Sequence, residues 1–336
     1  MKHLFRKTLQ LLIVLAPAWF SNLYSQEKPV PLDMNLQNYP YPFPVQYITI
    51  NSQAQELRMA YMDVKPAKSN GRTIMLFHGK NFSGAYWEEV ANALLNEGFR
   101  VIMPDQVGFG KSSKPVHLQY SFQLLAQHTR QLLDSLQISK VSVVGHSMGG
   151  MLATRFSLMY PDNVEKLVLE NPIGLEDWKL KVPYSSVDSW YQRELSQNYD
   201  KIRKYQQENY YHGTWKPAYD KWVNMLAGWT LHPDYKRVAW NSALTYDMIF
   251  TQPVVYEFDQ LKMPVLLIIG QADRTALGKQ EAPAEVRSTL GNYPVLGKIT
   301  RQKIKNAQLA ELENIGHLPH IEAFDQFIKP LIAFLK

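Results

Sequence analysis

The sequence predicts an α/β protein with a mainly parallel sheet and helices on both of its faces. Strand-like and helix-like segments alternate along most of the 336 residues, which is the pattern of a parallel sheet. Segments such as Val-Leu-Leu-Ile-Ile at 265–269 are continuously apolar, as expected of strands buried on both sides. This length allows one large domain with an insertion, or two modest domains.

The N-terminal 44 residues precede the first expected strand. Three basic residues, an apolar run at 9–20 and small residues up to Ser25 form the pattern of a secretory signal peptide over 1–25. Because the apolar run is too short for a comfortable membrane span, we expect a periplasmic or secreted protein with no stable membrane insertion after cleavage. A retained N-terminal anchor is the alternative. The proline-rich stretch 26–44 predicts an extended arm.

Charge and cysteine content exclude several classes of function. Half of the formal net charge of +6 belongs to the three basic residues of the leader, and the remainder does not indicate nucleic acid or an anionic membrane as a partner. The chain has no cysteine, which excludes a thiol nucleophile, disulfides and thiolate metal sites. We expect a small-molecule substrate and no cofactor, and the oligomeric state stays open.

Two parts of the chain, 45–173 and 259–336, are expected to form the sheet domain. Its strands are predicted at 45–51, 55–65, 73–78, 100–104, 141–144, 165–169, 264–269 and 308–313. Its helices are predicted at 84–96, 122–136, 148–160 and 321–335.

The segment 141–150, Val-Ser-Val-Val-Gly-His-Ser-Met-Gly-Gly, carries the most specific motif. An apolar run rich in β-branched residues ends at a glycine, and Ser147 follows on a sharp strand-to-helix turn. Small residues two positions before and after the serine let neighbouring segments approach without a clash. Ser147 is therefore the candidate nucleophile, and the backbone N–H of Met148 is a candidate oxyanion donor at a helix start. The alternative is a tightly packed turn without chemistry.

A serine nucleophile needs a base, and the base needs an orienting acid. Sites in parallel sheets lie at the carboxyl ends of the strands. Asp273 follows the strand at 264–269 and His317 follows the strand at 308–313, which gives the chain order Ser–Asp–His described for this turn. Glu170 and Glu281 are alternative acids.

Other polar residues near these strand ends are assigned as an oxyanion donor, as a rival base or as structural residues. The backbone N–H of Lys80 is predicted to be the second oxyanion donor, with its side chain at the surface, although it could meet an anionic substrate. His320 is a rival base, but we expect it to be a surface or packing residue, and we assign His78 and His146 to structural support. No metal site is expected, because no carboxylate or third histidine accompanies His317 and His320 at ligand spacing.

Residues 174–258 interrupt the alternation of strands and helices. This stretch holds six of the eight tryptophans and ten of the nineteen tyrosines, with weak strand signals. We predict a helical insertion over the sheet in which most aromatic residues form core. A subset is expected to line an apolar pocket above the serine: Trp178, Trp190, Trp222 and Trp229.

Five motifs together resemble the α/β-hydrolase fold superfamily over about residues 45–336. They are His78-Gly79, the segment 104–112, the strand-to-helix turn at 145–149, Gly270-x-x-Asp273 and Gly316-His317. The resemblance is to the branch with esterases, carbon–carbon bond hydrolases, haloalkane dehalogenases and epoxide hydrolases. It implies an eight-stranded sheet with a cap between strands six and seven. Dehalogenases and epoxide hydrolases of this branch have an aspartate nucleophile, so the serine makes both activities unexpected.

The expected function is that of an exported serine hydrolase. Ser147, Asp273 and His317 would cleave small to medium carboxylic esters through an acyl-enzyme intermediate. One alternative is a carbon–carbon bond hydrolase that cleaves vinylogous diketones with the same residues. The other is a member of the superfamily that binds a small molecule with little turnover.

Overall fold

The computed structural model describes residues 28–336, so the predicted signal peptide lies outside the described residues. Eight strands form one sheet: β1 (Val45–Ser52), β2 (Gln55–Val64), β3 (Thr73–Phe77), β4 (Arg100–Pro104), β5 (Val141–His146), β6 (Val164–Glu170), β7 (Val265–Gly270) and β8 (Ala307–Leu312). Their order is β1-β2-β4-β3-β5-β6-β7-β8. The β1–β2 and β2–β4 pairs are antiparallel, and the other five pairs are parallel. The predicted fold class is confirmed.

Eleven α-helices lie within residues 28–336. They are α1 (Glu88–Asn96), α2 (Phe122–Ser135), α3 (Met148–Met159), α4 (Val187–Leu195), α5 (Tyr199–Asn209), α6 (Asp220–Thr230), α7 (Tyr235–Thr251), α8 (Ala284–Arg287), α9 (Tyr293–Lys303), α10 (Pro319–Glu322) and α11 (Phe324–Leu335). None of the helices in this part of the chain combines the length and the apolar character that a membrane span requires.

The two faces of the sheet bury separate apolar cores. Consecutive residues of a strand point to opposite faces, and in β3 Met75 and Phe77 join the core that contains α2 and α3. Ile74 and Leu76 of the same strand join the core on the other face, with α1 and α11. All six residues of β5 and of β7 are buried, which explains the continuously apolar sequence of β7.

The chain between β6 and β7 forms the helices α4 to α7, which are called the cap from here on. Within the cap, α4 packs on α7 and α5 packs on α6. The described part of the proline-rich stretch, 28–44, runs over the cap rather than away from it. Leu32 N–H donates to the Gly228 carbonyl at 2.9 Å, and the Trp229 indole N–H donates to the Asp33 carbonyl at 3.1 Å.

Besides the short helix α8, two helical segments differ from the sequence prediction. The helix α9 between β7 and β8 was not predicted, although Pro294 lies in its first turn, where proline is favoured. The single helix predicted at 321–335 is divided at Ala323, whose φ of −146° and ψ of 59° are not helical. The interruption lets α10 follow the loop of His317 closely while α11 packs along the sheet.

The buried histidine His128 on α2 makes the stability of the fold depend on pH. One ring nitrogen lies 3.0 Å from Ser52 Oγ, and burial lowers the pKa of His128 from 6.5 to about 4. The unfolded chain therefore binds more protons between these two pH values, and the folded state loses stability as pH falls through that interval.

We expect the free energy of unfolding to decrease from pH 7 to pH 4, and to decrease less in His128→Gln. Urea unfolding at several pH values measures both slopes. The exposed residue His117 provides the matched control, because His117→Gln should follow the wild-type slope. Identical pH dependence in His128→Gln and wild type would contradict the assignment.

Candidate active site

Ser147 lies at the turn between β5 and α3 in a backbone conformation that is rare for residues other than glycine. Its φ is 56° and its ψ is −122°, a strained combination of the kind found at functional sites. A Cβ on Gly145 would lie 2.3 Å from the Gly149 carbonyl oxygen, and one on Gly149 would lie 2.3 Å from that of Phe77. These contacts are impossible for any other residue, so the two glycines let β3, β5 and α3 meet at the serine.

The imidazole of His317 lies between Ser147 and Asp273. The three residues come from three different loops. Nε2 of His317 lies 2.9 Å from Ser147 Oγ, and Nδ1 lies 2.7 Å from Asp273 Oδ2. The His317 and Asp273 side chains are almost completely buried. Both distances are within hydrogen-bond reach, so the hydroxyl, the ring and the carboxylate form one connected chain.

Asp273 is fixed by two further donors. The Thr275 N–H donates to Oδ1 at 2.8 Å, and Asn171 Nδ2 donates to Oδ2 at 2.7 Å. Asn171 Oδ1 also accepts the Gly270 N–H at 2.9 Å, so this amide links the ends of β6 and β7. Asn171 was not among the residues predicted from the sequence. Its position directly after a buried strand is the signal that was available.

The His317 ring is held by Tyr210, which follows the cap helix α5. The two rings stack with centroids 4.9 Å apart, and the His317 N–H donates to the Tyr210 carbonyl at 2.8 Å. The Tyr210 hydroxyl in turn accepts from Asn81 Nδ2 at 2.8 Å. Sequence analysis missed Tyr210, because no local pattern distinguishes it from the other cap tyrosines.

His146 connects the loop after β3 with the backbone of His317. The Gly79 N–H donates to Tyr86 Oη at 2.9 Å. Because the His317 carbonyl can only accept, the neutral His146 ring carries its proton on Nε2, and its Nδ1 accepts from the Tyr86 hydroxyl at 3.0 Å. His146 Nε2–H then donates to the His317 carbonyl at 2.7 Å. Burial, followed by the nearby imidazoles, lowers the pKa of His146 well below 6.5. His146 is thus a neutral ring that links Tyr86 to the His317 carbonyl.

The rival residues have other partners. Glu170 Oε1 lies 2.7 Å from His320 Nδ1 and accepts the His320 N–H at 2.9 Å. The His320 ring stacks on Trp87 at 4.5 Å, so His320 is a packing residue. Glu281 forms an ion pair with Arg193 at 2.6 Å. Neither alternative acid contacts His317.

The two candidate oxyanion donors belong to two different segments of the chain. Met148 is the first residue of α3, and Lys80 lies in the loop after β3. Within residues 28–336, neither backbone N–H donates a hydrogen bond to another group. Two free N–H groups at such positions are suited to an oxygen that becomes negatively charged.

A cavity of about 340 Å³ lies between the cap and the loops of the sheet domain. Its walls include Lys80, Asn81, Gly108 and Phe109 from the loops, and the remainder comes from the cap. Ser147 is not among the lining residues, and Lys80 is the residue that belongs both to the cavity wall and to the predicted pair of oxyanion donors.

Two of the four tryptophans expected in the pocket line this cavity, namely Trp190 and Trp229. Trp178 does not, because it packs in the core of the sheet domain and its indole N–H points to Glu176 at 3.3 Å. Trp222 does not either, because its ring packs edge-on against Phe82 at 6.1 Å. The pocket assignment of Trp178 and Trp222 is therefore corrected.

The Lys80 side chain also departs from expectation. The sequence predicts that it lies at the surface, whereas its Nζ lies 2.5 Å from Ser242 Oγ and 3.6 Å from the centroid of the Tyr246 ring. Burial lowers the pKa of Lys80 to about 8, and the Glu194 carboxylate partly opposes this change. The lysine therefore belongs to the cavity wall.

Comparison with known proteins identifies the family. A family model described as alpha/beta hydrolase fold matches residues 72–324. The crystal structure of a probable hydrolytic enzyme from Pseudomonas aeruginosa superimposes with a TM-score of 0.91 and 55% identity, over 93% of this chain and 100% of that one.

Two curated relatives are also informative. Lipase 1 of Psychrobacter immobilis is 25% identical over 79% of this chain and 77% of its own length. A 2-hydroxy-6-oxononadienedioate/2-hydroxy-6-oxononatrienedioate hydrolase of Paraburkholderia phymatum is 36% identical over 37% of this chain and 43% of its own length. The chain spans less than half the length of the first curated relatives it matches, 36% to 43%. With the match to the family model, these similarities show that the chain belongs to the alpha/beta hydrolase fold family.

Proposed function

We propose that the protein is a serine hydrolase that cleaves carboxylic esters through Ser147, His317 and Asp273. The observation that carries this proposal is the bridging position of His317, 2.9 Å from the serine hydroxyl and 2.7 Å from the carboxylate. The similarity to a lipase and to a probable hydrolytic enzyme supports it. The leader pattern in residues 1–25 supports export to the periplasm or the exterior.

In the first half of the reaction, Ser147 Oγ attacks the ester carbonyl while His317 Nε2 accepts the hydroxyl proton. The carbonyl oxygen becomes an oxyanion, which the N–H groups of Met148 and Lys80 stabilise. The bond to the alcohol oxygen then breaks, and His317 returns the proton to the departing alkoxide. An acyl group on Ser147 and a free alcohol result.

In the second half, water replaces the alcohol. His317 Nε2 accepts a proton from the water molecule as its oxygen attacks the acyl carbon. The second tetrahedral intermediate collapses, the serine oxygen recovers the proton, and a carboxylic acid leaves. Asp273 holds the imidazole tautomer and stabilises the imidazolium that forms twice in each cycle.

Hydrolysis of a carbon–carbon bond in a vinylogous diketone is the second candidate, favoured by the 36% identity to the oxononadienedioate hydrolase. The same residues are available for both reactions. Turnover of p-nitrophenyl esters of increasing chain length is therefore to be compared with turnover of ring-fission diketones. A higher kcat/KM for the esters supports the first candidate, and a higher kcat/KM for the diketones supports the second.

A fluorophosphonate probe is expected to modify Ser147 once per chain, because an activated serine attacks phosphorus as it attacks an ester carbonyl. Intact-mass and peptide-mapping mass spectrometry measure the stoichiometry and the site. His317→Gln should react far more slowly, since the base is lost. Labelling of another residue, or no labelling, would favour a binding protein instead of an enzyme.

A further inference from the structure

A buried glutamine in the cap has no partner for its side chain. Gln206 on α5 is completely buried, and neither its Nε2 nor its Oε1 has a hydrogen-bond partner within residues 28–336. The residue lines the cavity beside the Lys80 loop. An unpaired buried amide is costly, so this position is suited to a polar group that enters with a ligand.

The Lys80 ammonium lines the same cavity and is only partly satisfied. An ammonium carries three donors, and Ser242 Oγ accepts one of them. The Tyr246 ring face contributes a cation–π contact. Lys80 forms no ion pair among the residues that the structure describes. A partly buried cation without an ion-pair partner is costly, and a ligand carboxylate would supply that partner.

Among the other charged residues of the cavity, Glu194 offsets the desolvation of the Lys80 ammonium only in part, and it forms no ion pair with Lys80. Arg193 is neutralised by its ion pair with Glu281, and Lys201 is exposed and donates to the Ser196 carbonyl at 2.8 Å. The carboxylate of Glu194 is the single acid of the lining. Apolar and aromatic residues form much of the remaining wall: Phe109, Trp190, Ile202, Tyr205, Leu226, Trp229, Tyr235, Val238 and Tyr246.

We propose that this cavity binds the part of an ester substrate remote from the scissile bond, and that this part ends in a carboxylate. The carboxylate accepts hydrogen bonds from the Lys80 ammonium and from the Gln206 amide N–H₂. The preferred substrate is thus a monoester of a dicarboxylic acid, with an apolar spacer between the two carbonyl carbons.

The connection between this subsite and the reacting atoms is Lys80 itself. Under the proposed function, on which this inference rests, its backbone N–H faces the oxyanion while its side chain reaches into the cavity. One lysine side chain therefore spans the distance between the scissile carbonyl and the carboxylate site. A spacer of a few methylene groups matches this span.

The test compares mono-p-nitrophenyl adipate with p-nitrophenyl hexanoate, which has an acyl chain of the same carbon count without the charge. We expect wild type to prefer the adipate at least tenfold in kcat/KM, chiefly through a lower KM. The readout is the ratio of the two kcat/KM values within each variant, so a general loss of activity cancels. Lys80→Met and Gln206→Leu should each reduce this ratio severalfold.

The matched control is Lys204→Met. Lys204 is exposed on the same helix as Gln206 and pairs with Glu208, so the variant loses the same charge outside the cavity. Its ratio should equal the wild-type ratio. Equal kcat/KM values for the adipate and the hexanoate in wild type, or an unchanged ratio in both Lys80→Met and Gln206→Leu, would overturn the subsite.

Binding to Ser147→Ala separates this inference from the proposed function. Calorimetry with mono-p-nitrophenyl adipate should give a Kd at least tenfold below that of the hexanoate, and Lys80→Met in the same background should remove the difference. Tight adipate binding together with inactive wild type would refute ester hydrolysis but retain the subsite. Ester hydrolysis without any difference in binding would refute the subsite alone.

Discussion

Replacing Ser147 with alanine is expected to lower kcat for p-nitrophenyl butyrate by about 10⁶-fold, as loss of a nucleophile does in serine hydrolases. The hydroxyl that lies 2.9 Å from His317 Nε2 is absent in this variant, so the proposed acyl-enzyme cannot form. The two free N–H groups and the binding site remain, and they account for any residual rate above the uncatalysed reaction. Steady-state kinetics on purified protein measure the loss.

Ser142→Ala is the matched control for this experiment. Ser142 lies on β5, five positions before the nucleophile; it is buried, and its Oγ has no hydrogen-bond partner in the described chain. Removing that hydroxyl should leave both kcat and thermal stability close to wild type. Undiminished hydrolysis by Ser147→Ala, or an equal loss in Ser142→Ala, would show that the chemistry lies elsewhere.

The serine turn was predictable because its signals are local. An apolar strand, two glycines at fixed spacing and a following helix lie within about twenty residues, and each has a direct steric reason. Asp273 and His317 were predictable for a related reason. Parallel strands bring their carboxyl ends to one edge of the sheet, so residues far apart in sequence are placed together once the strands are identified.

The residues that hold Asp273 and His317 in position were not predictable from the sequence. Asn171 and Tyr210 contact Asp273 and His317 through tertiary packing, and neither belongs to a motif. The direction in which each cap tryptophan faces depends on how α4 to α7 pack on one another. Trp178 and Trp222 therefore could not be separated from Trp190 and Trp229 by sequence alone.

The Lys80 side chain illustrates the limit of average tendencies. Lysines are mostly exposed, and the sequence around Lys80 contains no signal against that tendency. The Lys80 ammonium lines the cavity because it contacts Ser242 and Tyr246, which belong to the cap helix α7. An exception of this kind is informative, because burial of a charged group is retained only where something offsets its cost.

Asp273→Asn is expected to lower kcat by about 10⁴-fold while leaving the protein folded. An asparagine has the same shape, but one of its two polar atoms is a donor. If that donor faces His317 Nδ1, the ring carries its proton on Nε2 instead. Nε2 can then no longer accept the proton of the serine hydroxyl. The kcat, the rate of fluorophosphonate labelling and the thermal midpoint are measured together, and only the first two should change strongly.

Glu170→Gln is the variant that tests the alternative acid Glu170 against Asp273. Glu170 ends β6, is completely buried, and binds His320 rather than His317. Its replacement disturbs a packing pair, so we expect a loss of stability and a much smaller loss of kcat than in Asp273→Asn. The reverse order would mean that His317 exchanges its acid during the reaction. The fixed position of Asp273 Oδ2, held by Asn171 Nδ2 at 2.7 Å, argues against such an exchange, because His317 and Asn171 already donate to the same oxygen.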